Sequence, residues 1–266
     1  MKKLVTLLLI ITSSSTLFSQ KNAVKLHLES LAFGAVNIAY ERNLGPKVTA
    51  GINVGIFIPR DIPFYTPARD TAANYIDTKD LENNFSGLMI TPELRFYPKG
   101  NGKGFYMGGY LKYCNYKIGM SQTSTYQLSD DEYNNLDANA DYYANVNHAT
   151  KEIDVTTNVD YKLGQLGAGL QLGVQWLIAD RFVIDWGFIG LGYNAFKATG
   201  ELTIIDIPVN YSNYASEAES SINKELENFP IGNPKASVVG KNNSLKASVP
   251  FGMIGIRSFL SIGMKF

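Results

Sequence analysis

The sequence predicts an all-β chain, an eight-stranded antiparallel transmembrane β-barrel with short periplasmic turns and three long external loops carrying short helices. Three observations point there. Apolar and polar side chains alternate with period two over most of the chain, the mark of strands whose two faces meet different surroundings. Long polar connections fall at one end of the candidate strands and short turns at the other. Aromatic side chains gather at both ends, where a membrane interface accommodates an apolar body with a polar tip.

From the N terminus, residues 1–19 read as a secretory signal peptide. Basic Lys2 and Lys3 precede an apolar run from Leu4 to Ile11, with small polar residues before a cut after Ser19. That run is far below the roughly 20 residues a membrane helix needs. No cysteine lies near the cut, so lipid anchoring is not expected. Residues 20–266 are then one domain, within the length range of all-β folds.

The strands follow in order. The first, 23–29, sets Val24, Leu26 and Leu28 against Lys25, His27 and Glu29. A second, 33–42, follows "SLAFG", a poor hairpin sequence. The third, 47–58, opposes Val48, Ile52, Val54 and Ile56 to Thr49, Gly51, Asn53 and Gly55. In the fourth, 86–98, Leu88, Ile90, Leu94 and Phe96 face away from Thr91, Glu93, Arg95 and Tyr97. The fifth, 104–118, leaves the turn "KGNGK". The sixth, 158–177, alternates most cleanly, with Leu166, Ala168, Leu170, Leu172, Val174 and Trp176 opposed by glutamines and glycines. In the seventh, 181–199, the alternation slips near Phe188 and Ile189, which reads as a β-bulge. The eighth, 251–266, ends "FLSIGMKF", with Leu260, Ile262, Met264 and Phe266 on one face. It must pair with the first, because lipid cannot satisfy an open sheet edge.

The long connections are expected over 59–85, 119–157 and 200–250, the short ones near 44–47, 99–103 and 178–180. Ser129 with Glu132, and Ser216 with Glu219, have capping-box spacing and predict short helices near 130 and over 217–227. Composition agrees with this plan. The 24 glycines and 16 tyrosines suit strands in which small residues leave room for large ones. Twenty-four basic residues balance 24 acidic ones, so no nucleic-acid partner is implied. One cysteine, Cys114, excludes an internal disulfide framework.

Tyr40–Glu41–Arg42 in an early strand, and Pro92–Glu93–Leu94–Arg95–Phe96–Tyr97 before a tight turn, carry a resemblance. The chain resembles the small eight-stranded outer-membrane barrels of the OmpA transmembrane-domain and OmpX class. Within that class it is most similar to a group of uncharacterised Gram-negative barrel proteins. The resemblance implies an outer-membrane location and fold, and no established activity. It also implies that the terminal Phe266 is an assembly signal read by the barrel insertion machinery.

Lys25, His27, Glu29, Glu41, Glu93, Arg95, Lys112, Asp185, Arg257 and Lys265 all fall on the face opposite the apolar one. Buried charges are tolerable only when paired, so these residues are expected to plug the interior as a salt-bridge network. Catalysis by an activated hydroxyl needs a nucleophile, base and orienter together. The only two histidines, His27 and His148, come with no serine motif, so no catalytic residue is assigned. Asp137, Asn139 and Asp141 have calcium-loop spacing, but Tyr142 takes the glycine position and His148 that of the closing glutamate. "KGNGKG" joins two strands and is a turn rather than a phosphate loop. No metal and no cofactor are expected.

The expected protein is a monomeric, non-enzymatic outer-membrane barrel with a filled lumen. Its partners are outer-membrane lipid, the insertion machinery and an extracellular ligand met through the loops. A narrow small-solute or ion channel and a lipid-modifying outer-membrane enzyme are the two alternatives.

Overall fold

The structure is a computed structural model that describes residues 21–60, 78–135, 146–204, 211–228 and 234–266. The expected leader and the Asp137–Asp141 stretch lie outside the described residues. In chain order the strands are β1 (Asn22–His27), β2 (Ala35–Asn43), β3 (Val48–Arg60), β4 (Thr78–Phe96) and β5 (Gly104–Gln127). There follow β6 (Val146–Asn147), β7 (Glu152–Ile178), β8 (Phe182–Ile204), β9 (Ser237–Lys241) and β10 (Ser244–Lys265). All pairings are antiparallel, in the order β1-β2-β3-β4-β5-β7-β8-β10, and β1 pairs back onto β10. The sheet therefore rings round on itself. β6 and β9 are short additions to β7 and β10.

Side-chain facing obeys the period-two pattern. Along β7, Gln165, Gly167, Gln171, Gly173 and Gln175 are buried, while Leu166, Leu170 and Trp176 lie open on the outer surface. Leu170 is 74 % exposed and Ile256 on β10 is 81 % exposed, so the apolar face looks out and the polar face looks in. Inner glycines make room for inner aromatics. A Cβ on Gly173 would collide with the Tyr106 hydroxyl, one on Gly169 with the Tyr110 ring, and one on Gly187 with Phe259.

The bulge falls in β8 as expected. Leu172 pairs with Ile189 and Gly173 with Gly187, so Phe188 is the extra residue, and both Phe188 and Ile189 turn outward. The turn after β4 bends through Gly100, Asn101 and Gly102, all with positive φ, and Asn101 N–H donates to Pro46 O at 2.7 Å. Two neighbouring short turns are thereby tied together.

Four features differ from the sequence reading. Residues Leu28–Ala32 form a helix, not strand, so Leu28 and Glu29 leave the β1 ladder. The reason is local: β1 stops at His27, and Glu29 turns back to accept from the Leu260 N–H at 3.1 Å. Parts of the stretches expected as loops are strand. Gln127 pairs with Glu152 at the tip of the β5–β7 hairpin, and β8 runs on to Ile204 beside β10. Polar residues on both faces hid these extensions, because they erase the alternation. The helix Ala215–Leu226 begins without a side-chain cap, since Glu219 accepts from Val238 N–H at 2.9 Å on β9 instead. β9 itself was not foreseen. The short helix Asp130–Asn134 lies where the Ser129 signal places it. No helix among the described residues is long and apolar enough to cross a membrane.

Candidate functional site

Alternation delivers one inward side chain every second residue, and eight strands deliver them to the same level. At the end of the ring carrying the short turns, β1 supplies Lys25, β2 Glu41, β4 Glu93 and Arg95, β7 Gln171 and Gln175, β8 Asp185 and β10 Arg257. The wall at this level combines charges of opposite sign from strands far apart in sequence.

Lys25 Nζ donates to Asp185 Oδ2 at 2.6 Å, to Gln175 Oε1 at 2.9 Å and to Glu41 Oε2. Arg95 Nη1 donates to the same Asp185 oxygen at 2.6 Å, and its Nη2 lies 2.6 Å from Glu93 Oε1. Arg257 Nη1 donates to Gln171 Oε1 at 2.6 Å and reaches Glu93 Oε2 at 3.3 Å. Gln171 completes that corner by donating to Glu93 Oε2 at 2.9 Å. The second oxygens of Glu41 and Asp185 are taken by hydroxyls. Thr49 and Tyr97 donate to Glu41 Oε1 at 2.6 and 3.0 Å, and Tyr106 donates to Asp185 Oδ1 at 3.0 Å.

Lys25, Arg95 and Arg257 thus meet Glu41, Glu93 and Asp185, three charges of each sign, with Lys25, Arg95 and Asp185 at most 1 % exposed. Isolated ions in such a place would be costly, and mutual pairing offsets that cost. Aromatic faces add to it. The Arg95 guanidinium lies 4.4 Å from the Tyr106 ring centre, and that of Arg257 lies 4.7 Å from Phe259 and 4.9 Å from Tyr110. Gln175 and Lys265 tie the network to the turn by donating to Gly102 O and Asn101 O, each at 2.7 Å.

Six of the ten interior residues expected from sequence are brought together here: Lys25, Glu41, Glu93, Arg95, Asp185 and Arg257. Lys265 is buried but bonds to backbone rather than to a carboxylate. Lys112 shares the inner face of β5 with Tyr110 and Cys114, is half-buried, and makes no ion pair among the described residues. Glu29 is not an inward strand residue. It stands on the short helix, 3.1 Å from His27 Nδ1. Phe266 ends the chain with reciprocal backbone bonds to Asn22 at 2.9 and 2.8 Å.

Sequence reading placed Gln171 and Gln175 on the inner face and missed Thr49, Tyr97 and Tyr106 as network members. Tyr97 shares its strand face with Glu93 and Arg95, and Tyr106 shares its own with Lys112, which is the signal that marks these two. It also missed Ser261, which stands opposite His27 in the β1–β10 ladder. That serine's hydroxyl reaches Asp185 O at 3.5 Å, whereas His27 Nε2 has no partner among the described residues. Serine, histidine and Glu29 therefore do not form a relay. His148 meets Tyr133 at 3.0 Å, far along the chain from any of them. No group of acidic, histidine or cysteine residues suited to a metal ion occurs among the described residues.

A family described as "Protein of unknown function (DUF3575)" matches residues 4–206 of the chain. No curated protein matches it, and no solved structure does.

Proposed function

The chain belongs to the DUF3575 family of proteins of unknown function, and we propose that it is an outer-membrane β-barrel with a structural or surface-binding role and a lumen sealed by its ion pairs. The observation that carries this reading is the outer apolar band. It runs from Phe105 to Tyr113 on β5, Leu166 to Trp176 on β7 and Phe182 to Tyr193 on β8. The first two stretches match the about 9–11 residues that a tilted strand needs to cross the hydrocarbon layer, and the third is longer by its bulged residue, Phe188. Exposed Lys117, Lys162 and Lys197 follow the band at one limit, and exposed Phe96, Trp176 and Trp186 mark the other. Apolar surface this extensive is unfavourable in water and expected against lipid.

The charge-balanced, side-chain-filled interior favours a sealed cylinder over a pore. Beyond the band, the β5–β7 hairpin, the helix Ala215–Leu226 and β9 project as a polar superstructure, and this is where an extracellular partner would be met. Leader-directed export and the resemblance to small outer-membrane barrels support the same location.

Fractionation with surface proteolysis tests the reading. The protein is expected in detergent extracts of outer membranes, migrating differently on gels before and after boiling. External protease on intact cells should cut near 211–241. Recovery of the folded protein in detergent-free buffer would overturn it.

A further inference from the structure

The ring has one discontinuous seam. β10 pairs with β9 from Ser244 to Ser248 and with β1 from Ser261 to Lys265, but no described strand lies along that edge between them. Leu260 N–H leaves the sheet toward Glu29, and alternation sends the N–H groups of Ile256 and Ile254 the same way. Pro250 keeps the phase and has no N–H to offer, a residue typical of an edge. In place of a strand stands the helix Leu28–Ala32, tied to β10 where Glu29 accepts from the Leu260 N–H. Around it Leu31, Phe33, Ile254 and Ile256 are 47–81 % exposed.

Behind the seam, His27, Asn37 and Asn53 stand on the inner face of β1, β2 and β3, each at most 3 % exposed. Asn37 pairs with Gly55 and Asn53 with Ala39, so the two amides are diagonal neighbours. His27 Nε2, Asn37 Oδ1 and both amide atoms of Asn53 lack a hydrogen-bond partner among the described residues. Leaving four such atoms unsatisfied is costly. In the tautomer that donates from His27 Nδ1 to Glu29, Nε2 is an acceptor. The set is then three acceptors and one donor, without charge, which complements a hydroxylated and uncharged group.

We propose that seam and inner polar set form one binding site for an uncharged single-chain amphiphile taken from the surrounding bilayer. Its hydroxylated head bonds to His27 Nε2, Asn37 Oδ1 and the Asn53 amide, and its acyl chain leaves past Phe259 between the helix Leu28–Ala32 and β10. Phe259 is the inward residue beside the seam, and its ring lies 5.0 Å from that of His27. The proposal rests on the membrane reading above, since the acyl chain needs lipid outside the seam.

The test uses the full mature chain in a zwitterionic detergent, with 1-monoacylglycerol as probe. The chain has two histidines, so ¹⁵N-histidine labelling gives His27 and His148 as separate reporters. Monoacylglycerol should shift the His27 Nε2 resonance and leave His148 unmoved, and native mass spectrometry should show one bound molecule per monomer. Asn53→Leu should lower that occupancy at least tenfold while boiling still changes gel mobility, and Asn37→Leu serves as the second variant. Absence of the adduct in a heat-modifiable wild-type barrel would overturn the site and leave the membrane reading intact. So would an equal adduct with lysophosphatidylglycerol, an equal His27 shift with glycerol alone, or a dimer joined at the seam. Loss of heat modifiability in the wild type would instead overturn the membrane reading beneath it.

Discussion

Asp185 accepts from Lys25, Arg95 and Tyr106 while almost wholly removed from solvent. Removing one member of a buried ion network leaves the others uncompensated, which costs about 3–5 kcal/mol. Asp185→Asn should therefore lower the stability by about that amount, read from urea unfolding in micelles. An unchanged midpoint would mean that the network is not closed. A rim pair behaves differently. Lys151 Nζ donates to Asp130 Oδ1 at 2.6 Å, and this bond together with its charge lowers the Asp130 pKa. The pair's contribution is present above the ordinary aspartate value and is lost as pH falls through the lowered one. Lys151→Met should move the Asp130 carboxyl titration back up in ¹³C spectra, with no change in the urea midpoint.

Single strands carry both regimes along their length. On β7, Leu170 sits in the middle of the apolar band, whereas exposed Asp160 lies beyond it. Leu170→Arg should cost roughly 2–4 kcal/mol, and Asp160→Arg should stay within about 0.5 kcal/mol. Equal costs would remove the argument for a lipid-facing band. The band was legible because Leu166 to Trp176 alternate with glutamine and glycine, and so was the bulge, where Phe188 and Ile189 break that rhythm. The extensions were not legible, because runs such as "SQTSTYQ" are polar on both faces and carry no period. The helix Leu28–Ala32 was hidden for the opposite reason. Leu26, His27, Leu28 and Glu29 continue an alternation that the backbone abandons at His27. The Ser216–Glu219 spacing marked the helix Ala215–Leu226, although Glu219 accepts from the Val238 N–H of β9 instead of closing a capping box. Which ions pair was equally invisible, since Lys25 and Asp185 meet only once the ring has closed.

At the scale of the molecule, the balanced interior and the closed ring make one expectation about transport. The wild-type protein should show no discrete conductance in planar bilayers, because Arg95 reaches inward to ion pairs with Glu93 on the same strand face and Asp185 on another strand. The double substitution Glu93→Ala with Arg95→Ala removes two long side chains from that level and should produce measurable steps. Steps of the same size in the wild type would favour a channel.

Five rungs join β1 to β10, whereas twenty-four join β5 to β7. The other ladders of the ring join strands that follow one another around it, each across a far shorter stretch of chain than separates β1 from β10. The final ladder must bring together residues near 23 and 265, the longest separation available. Contacts of that kind are slow to form, and here the slowest meeting is also the smallest. Assembly should therefore proceed by zippering of β2 through β10 and wait on the sealing step. Lesions in the terminal strands would then show first as delayed maturation rather than as a weaker finished product.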